Sequence, residues 1–237
     1  MRLPPLPAGP VAVLCGAGLA AASGVPTFRG PAGLWRRHRP EELATPAAFA
    51  RDPRLVWEWY DWRRGLIAGC RPNAGHRALA RLAGSRPGTT LISQNVDGLQ
   101  ERVPPARPLL LHGSIWRLRC AGGCGRGEWE DRRPRLPELP PRCPDCGGLA
   151  RPAVVWFGEG LPAGSWRRAA AAASACALFL AVGTSAVVQP AAGLIDLARS
   201  AGAVTIEVNP EPTAAAVDHR LVGPAEEILP ALVAALV

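Results

Sequence analysis

Apolar residues in this chain come in short runs, and each run ends in glycine or a polar turn. Residues 11–15 (VAVLC) run into Gly16-Ala17-Gly18, residues 91–93 follow Thr89-Thr90, and residues 109–111 precede His112. Residues 176–182 run into Gly183-Thr184-Ser185, and residues 204–208 stop at Asn209-Pro210. Continuous apolar runs of this length, closed by glycine, are the pattern of strands buried on both faces of a parallel sheet. Between them lie stretches with helical spacing at residues 76–83, 166–175, 191–201 and 226–236, and residues 19–23 read as a first helical turn. Strands alternating with helices predict an open α/β sheet of Rossmann type covered on both faces.

Two regions break the rhythm. Residues 37–65 are helical and rich in Trp, and residues 115–151 hold four Cys, many Pro and little periodicity. The expected organisation is therefore a Rossmann-like domain from residues 1–36, 66–114 and 152–237, with a small helical and metal-binding domain from residues 37–65 and 115–151.

The length of 237 residues and the 48% hydrophobic content suffice for a large core and argue against disorder. Residues 11–22 resemble the apolar part of a signal peptide but follow a Pro-rich segment with a single Arg, a poor start for one, and residues 169–182 are too short to span a bilayer, so both are expected to be buried elements and no membrane association is expected. The formal charge is +8, and every basic residue is Arg. Those Arg are spread along the chain without a basic block, as on an ordinary solvated surface, so nucleic acid is not the expected partner; a positive cleft for a phosphate-bearing cofactor is the sharper reading, and the motifs favour some of each. Seven Cys, an odd number, speak against a disulfide framework and for a reducing, cytoplasmic location.

Four of the Cys carry chemistry. Cys120 and Cys124 form a C-x3-C pair, and Cys143 and Cys146 form a C-x2-C pair within CPDCGG. Two thiolate pairs suit tetrahedral zinc, and four protein ligands leave no open position, which makes the role structural. A zinc ribbon that binds nucleic acid is the competing reading of the same four residues.

Gly16-Ala17-Gly18 at a strand end can bring backbone and a helix N-terminus close to a diphosphate, although it lacks the full GxGxxG of hydride-transferring enzymes. The wider set is more specific: GAGLAAASGVPTFRG at 16–30, PNAGHRAL at 72–79, QNVD at 94–97, HGS at 112–114, PAVVWFGE at 152–159, GTS at 183–185, and Asn209. In this order, and over about residues 11–224, it resembles the sirtuin family, whose members are NAD-dependent protein-lysine deacylases.

That resemblance implies roles. Gly16, Ala17, Gly18, Ala20, Gly183, Thr184, Ser185 and Asn209 would bind the cofactor, with Phe28 and Arg29 on a loop closing over it. Asn95 and Asp97 would line the nicotinamide pocket, with Asn95 also taking part in catalysis, and Gln94 would contact the adjoining ribose. His112 matches the family's catalytic base, a role an imidazole titrating near neutrality can fill. His76 is expected to be structural. The implied reaction begins with attack of the acyl-lysine oxygen on the nicotinamide ribose and ends in free lysine, nicotinamide and O-acyl-ADP-ribose, with NAD consumed as co-substrate. The substrates would be acyl-lysine proteins, met by a monomer.

Residues 57–65 read WEWYDWRRG, and on a helix Tyr60 and Arg63 share a face. A guanidinium fork beside a phenol can grip a carboxylate. Tyr-x-x-Arg resembles the sirtuin subgroup that removes succinyl, malonyl and glutaryl groups; Thr27 and the small Ala44 fit that subgroup. Val155, Phe157 and Gly158 would wall the substrate cleft, where the substrate backbone adds as a strand. Three departures from the family pattern stand out: Ala20 where Ser is usual, Gln100 where His often follows NVDGL, and three residues instead of two inside the first Cys pair. The alternative activity on the same fold is mono-ADP-ribosyl transfer; a dehydrogenase is disfavoured by the absent GxGxxG.

Overall fold

The computed structural model describes residue 4 and residues 6–27 and 40–237. In chain order the strands are β1 (Val11–Cys15), β2 (Thr90–Ser93), β3 (Leu109–Leu110), β4 (Gly113–Cys120), β5 (Trp129–Glu130), β6 (Ala150–Val154), β7 (Leu178–Val182), β8 (Val204–Asn209) and β9 (His219–Val222). The helices are α1 (Gly18–Ala21), α2 (Pro40–Leu43), α3 (Pro46–Arg51), α4 (Pro53–Ala68), α5 (Ala74–Ser85), α6 (Ala163–Ala175), α7 (Gly193–Ser200) and α8 (Ala225–Ala234).

Six strands form a parallel sheet in the order β3-β2-β1-β7-β8-β9. Every residue of β1 and β7 is buried, as their apolar runs predict. Side chains alternate between faces along each strand. Val11, Val13 and Cys15 pack with Leu180, Val182 and Ile206 against Leu79 and Leu82 of α5 and Leu229 and Leu232 of α8. Ala12 and Leu14 pack on the opposite face with Phe179 and Ala181, against Ala169 and Ala173 of α6 and Leu194 and Ile195 of α7. The chain order of the strands reverses at β1, and the carboxyl ends of β1 and β7 open a crevice there, the place where open α/β sheets take ligands.

A second sheet of three antiparallel strands, β5-β4-β6, carries the remaining strands. It has its own core with α4, in which Trp57, Trp59, Ile115, Trp116, Leu118, Val154 and Trp156 meet. Asp52 caps α4 by accepting from Leu55 N at 2.9 Å, and Pro53 opens the first turn. Two polar ties hold α4 to the sheet. The Trp57 indole donates to Ala150 O at 2.8 Å. The fully buried Arg64 donates to Ile115 O at 3.0 Å, to Asp131 O at 2.7 Å and to the Asp131 carboxylate at 2.7 Å. Burial of that guanidinium is tolerable because its donors are met. Among the described residues no helix is long and apolar enough to cross a membrane.

Candidate active site

The loops after β1 and β7 are built against each other. Gly16 N donates to Val182 O at 2.9 Å, and Gly18 N to Gly183 O at 2.8 Å. A Cβ on Gly18 would lie 2.7 Å from Gly183 Cα, and one on Gly183, whose φ is +57°, would lie 2.5 Å from Leu19 N. These glycines are thus demanded first by the loop–loop contact, and only then by whatever approaches the loops. Thr184 ties in the neighbouring strands: its hydroxyl accepts from Gln94 Nε2 at 3.0 Å, and its carbonyl accepts from Asn209 Nδ2 at 2.8 Å. Asn95 Nδ2 donates to Gly16 O at 3.0 Å. Strand ends of β1, β2, β7 and β8 are in this way stitched into one rim.

Beneath that rim runs a cavity of about 650 Å³, within the size range of small-molecule and cofactor sites. Gly16, Ala17, Gly18, Gln94, Asn95, Gly183, Thr184, Ser185 and Asn209 line it on the side of the six-stranded sheet, together with His112. Ala44, Tyr60, Arg63, Val155, Phe157 and Gly158 line it on the side of the smaller sheet, with Thr27 beside them. Ala20 and Asp97 stand behind the wall. Ala20 is fully buried in the core shared with α4. Asp97 is buried, and its carboxylate accepts from Leu99 N at 2.7 Å while its carbonyl accepts from the Trp116 indole. Burial pushes the Asp97 carboxyl up, against the pull of that amide and of Arg63 and Arg102. Phe28 and Arg29 lie outside the described residues.

His112 follows β3, and its Nδ1 lies 2.9 Å from Gln94 O. A carbonyl only accepts, so Nδ1 carries the hydrogen and Nε2 keeps its lone pair. Burial lowers the imidazole's affinity for a second proton, partly offset by the Gln94 contact. The next residue, Gly113, approaches β6 so closely that a Cβ would lie 2.1 Å from Ala153 O. Val155 N then donates to His112 O at 3.0 Å, and Phe157 N to Ala44 O at 2.9 Å, which fixes the 154–159 wall between His112 and the turn before α3.

Tyr60 and Arg63, one turn apart on α4, are 4% and 5% exposed, so the shared face predicted for them is the inner one. The Arg63 guanidinium stacks 4.9 Å from the Trp59 ring centroid, and the Tyr60 hydroxyl accepts from Trp156 Nε1 at 3.0 Å. Burial disfavours the charged form of both groups. His76 lies elsewhere: it closes a capping box with Asn73 at the start of α5, and burial lowers it to about 4.

Several wall residues escaped the sequence reading, among them residues 188–190 and the 210–214 segment. The 210–214 segment lines the cavity next to Asn209. It is anchored by the buried Glu207, which accepts from Thr213 N at 3.1 Å and from Arg220 Nε at 3.0 Å. A Glu inside an otherwise apolar strand is the one signal that could have found it. Trp156 falls inside PAVVWFGE, the expected wall, without a residue role of its own.

The sulfur atoms of Cys120, Cys124, Cys143 and Cys146 lie within 4.8 Å of one another. Two pairs, Cys120–Cys146 and Cys124–Cys143, are 3.7 Å apart. A tetrahedral zinc with Zn–S bonds of about 2.3 Å sets sulfurs about 3.8 Å apart. The donor set therefore fits structural zinc, at the far end of β4 from the cavity.

Comparison with known proteins agrees with the geometry. The Sir2 family model matches residues 16–190. The NAD-dependent protein deacylase of Aquifex aeolicus (strain VF5) is 53% identical over 203 residues, covering 86% of this chain and 84% of its own. The NAD-dependent protein deacylase 1 of Pseudomonas aeruginosa is 51% identical, with 93% and 91% covered. A solved Sir2 homologue in complex with NAD superposes with a TM-score of 0.86 at 43% identity, covering 96% of this chain and 90% of that one. A Sir2–p53 peptide–NAD+ complex gives 0.81 at 26% identity, with 95% and 92% covered. The fold is the Rossmann-like sheet with a zinc-type module that the strand and cysteine patterns predict, and the chain belongs to the Sir2 family.

Proposed function

We propose that this Sir2-family enzyme, an NAD-dependent protein deacylase, prefers lysines carrying succinyl, malonyl or glutaryl groups and acts more weakly on acetyl-lysine. The observation that carries the preference is the placement of Tyr60 and Arg63, both buried, on the wall of the cavity that also holds Asn95 and His112. A guanidinium and a phenol together present several donors to a carboxylate. Ala44 leaves room beside them.

NAD, consumed as co-substrate, supplies the ribose carbon that accepts the acyl oxygen. The glycine loops at 16–18 and 183–185 offer backbone to its phosphates, Asn209 to the adenosine ribose, and Gln94 to the nicotinamide ribose. Asn95, held by Gly16 O, presents its amide to the nicotinamide end, and Asp97 supports that loop from behind. Phe28 and Arg29 complete the cofactor side of this proposal. His112 takes a ribose hydroxyl proton at Nε2, the nitrogen its Gln94 contact leaves bare. The 154–159 segment, with Val155, Phe157 and Gly158, receives the substrate backbone; the peptide-bound Sir2 relative supports acyl-lysine proteins as substrates. A monomer is part of the proposal, as is a cytoplasmic location, which cysteines held outside disulfides support.

Product analysis tests the reaction type. Incubation with NAD and a succinyl-lysine peptide is expected to yield nicotinamide, free lysine peptide and O-succinyl-ADP-ribose in equal amounts. Transfer of ADP-ribose onto the peptide, with the acyl group retained, would instead favour mono-ADP-ribosyl transfer on the same cofactor site.

A further inference from the structure

Tyr60 is the sole tyrosine of the chain. Its hydroxyl oxygen lies 3.0 Å from the Trp156 indole nitrogen. An indole nitrogen donates and does not accept, so the phenol oxygen must be the acceptor here. Its own hydrogen is then available to another group, and among the described residues no second hydrogen bond to this hydroxyl occurs. Both Tyr60 and Trp156 line the cavity.

Trp156 is itself fixed by three neighbours, two at the ring and one at its backbone amide. The Arg151 guanidinium lies 3.3 Å from its ring centroid. Glu159 accepts from Trp156 N at 2.8 Å and holds Arg151 with contacts of 2.6 and 2.9 Å. The Phe49 ring packs 5.3 Å away, centroid to centroid. The Glu159 carboxyl stays below its usual range because, against the cost of burial, Arg151 and the Trp156 amide favour its charge. A cation over the indole face also polarises the ring and strengthens its N–H as a donor.

We propose that Trp156 is a positioning residue for acyl selection: its N–H occupies the acceptor side of the Tyr60 hydroxyl and so turns the phenolic hydrogen toward the terminal carboxylate of the bound acyl chain. Arg151 and Glu159 clamp the indole in the orientation this requires. The proposal rests on the dicarboxylic-acyl reading above, because an acetyl group has no carboxylate to receive that hydrogen. It assigns selectivity to the wall that binds the peptide as well as to α4.

The test is a double-mutant cycle on the ratio of kcat/KM for succinyl-lysine to that for acetyl-lysine peptide. Trp156→Phe keeps an aromatic ring over Arg151 and deletes the N–H. Both substrates are turned over by the same active molecules, so the ratio is insensitive to any loss of folded enzyme. The expected result is a fall of about three- to tenfold, the scale of one ordinary hydrogen bond. Tyr60→Phe/Trp156→Phe should then match Tyr60→Phe alone, since the N–H acts only through the phenol. Effects of the single variants that multiply in the double variant would overturn the proposal, because Trp156 would then act independently. An unchanged ratio in Trp156→Phe, with Tyr60→Phe and Arg63→Met both lowering it, would overturn it while leaving the functional reading intact. A wild type without succinyl preference would instead remove the functional reading, and this proposal with it.

Discussion

The 2.9 Å contact between His112 Nδ1 and Gln94 O fixes which nitrogen of the imidazole is free to act. It also ties the candidate base to the QNVD loop, whose Gln94 is proposed to contact the neighbouring ribose. Because the Gln94 partner is a backbone carbonyl, side-chain substitution at that position does not remove it.

His112→Ala should lower the rate of deacylation by about 10²- to 10⁴-fold, the usual worth of a positioned acid–base group. Steady-state kinetics with a succinyl-lysine peptide would show this as a loss in kcat. Burial lowers the His112 pKa from its ordinary 6.5, and the proposed role as base requires the neutral form. The acid limb of the pH–kcat/KM profile is therefore expected below pH 6.5; an acid limb well above it would contradict the assignment.

His76 predicts a stability effect with a defined sign. Its folded pKa is about 4, below the ordinary 6.5. Between those values the unfolded chain binds a proton that the folded chain refuses, so this group's contribution costs stability as pH falls through that window. Thermal melts of His76→Gln should depend less steeply on pH between about 6.5 and 4 than those of the wild type.

Gly183→Ala places a Cβ 2.5 Å from Leu19 N at a φ of +57°. Strain at such a position is on the order of 1–3 kcal/mol. A chain of this size should lose about 2–4 °C in Tm per kcal/mol. Calorimetry would measure this loss, and NAD affinity should fall as well because the two loops proposed to hold NAD are forced apart.

Zinc should bind in a one-to-one ratio and be lost in Cys143→Ser, which alters the most buried of the four cysteines. Metal analysis checks the ratio. Loss of metal should reduce activity through β4 and β6, which carry Gly113 and Val154 at the cavity end.

The parallel sheet could be read from the sequence because β1 and β7 are buried on both faces and show it as unbroken apolar runs ending in glycine, while β8 keeps Val204, Ile206 and Val208 around Thr205 and Glu207 before Asn209. The second sheet could not. Pro152 sits within β6, an edge strand where proline is tolerated, and the β4–β6 register shifts between Ser114 and Leu118. Neither leaves a period-two signal. β9 escaped for another reason: only four residues long, at the sheet edge, it alternates buried and exposed positions that start with a polar His219. In the candidate site, motif residues were legible because strand ends deliver them to one crevice. The Trp156–Tyr60 contact spans 96 positions and depends on α4 packing across β6, which no local pattern encodes.

The most direct test of the central claim is the ratio of kcat/KM for succinyl-lysine to acetyl-lysine peptide, measured through nicotinamide release in wild type and Arg63→Met. The account predicts a clear succinyl preference in wild type, reduced about ten- to a hundredfold in Arg63→Met while acetyl-lysine is still turned over, the scale of a lost charge-assisted contact. A wild type that prefers acetyl-lysine, or an Arg63→Met enzyme with an unchanged ratio, would contradict it.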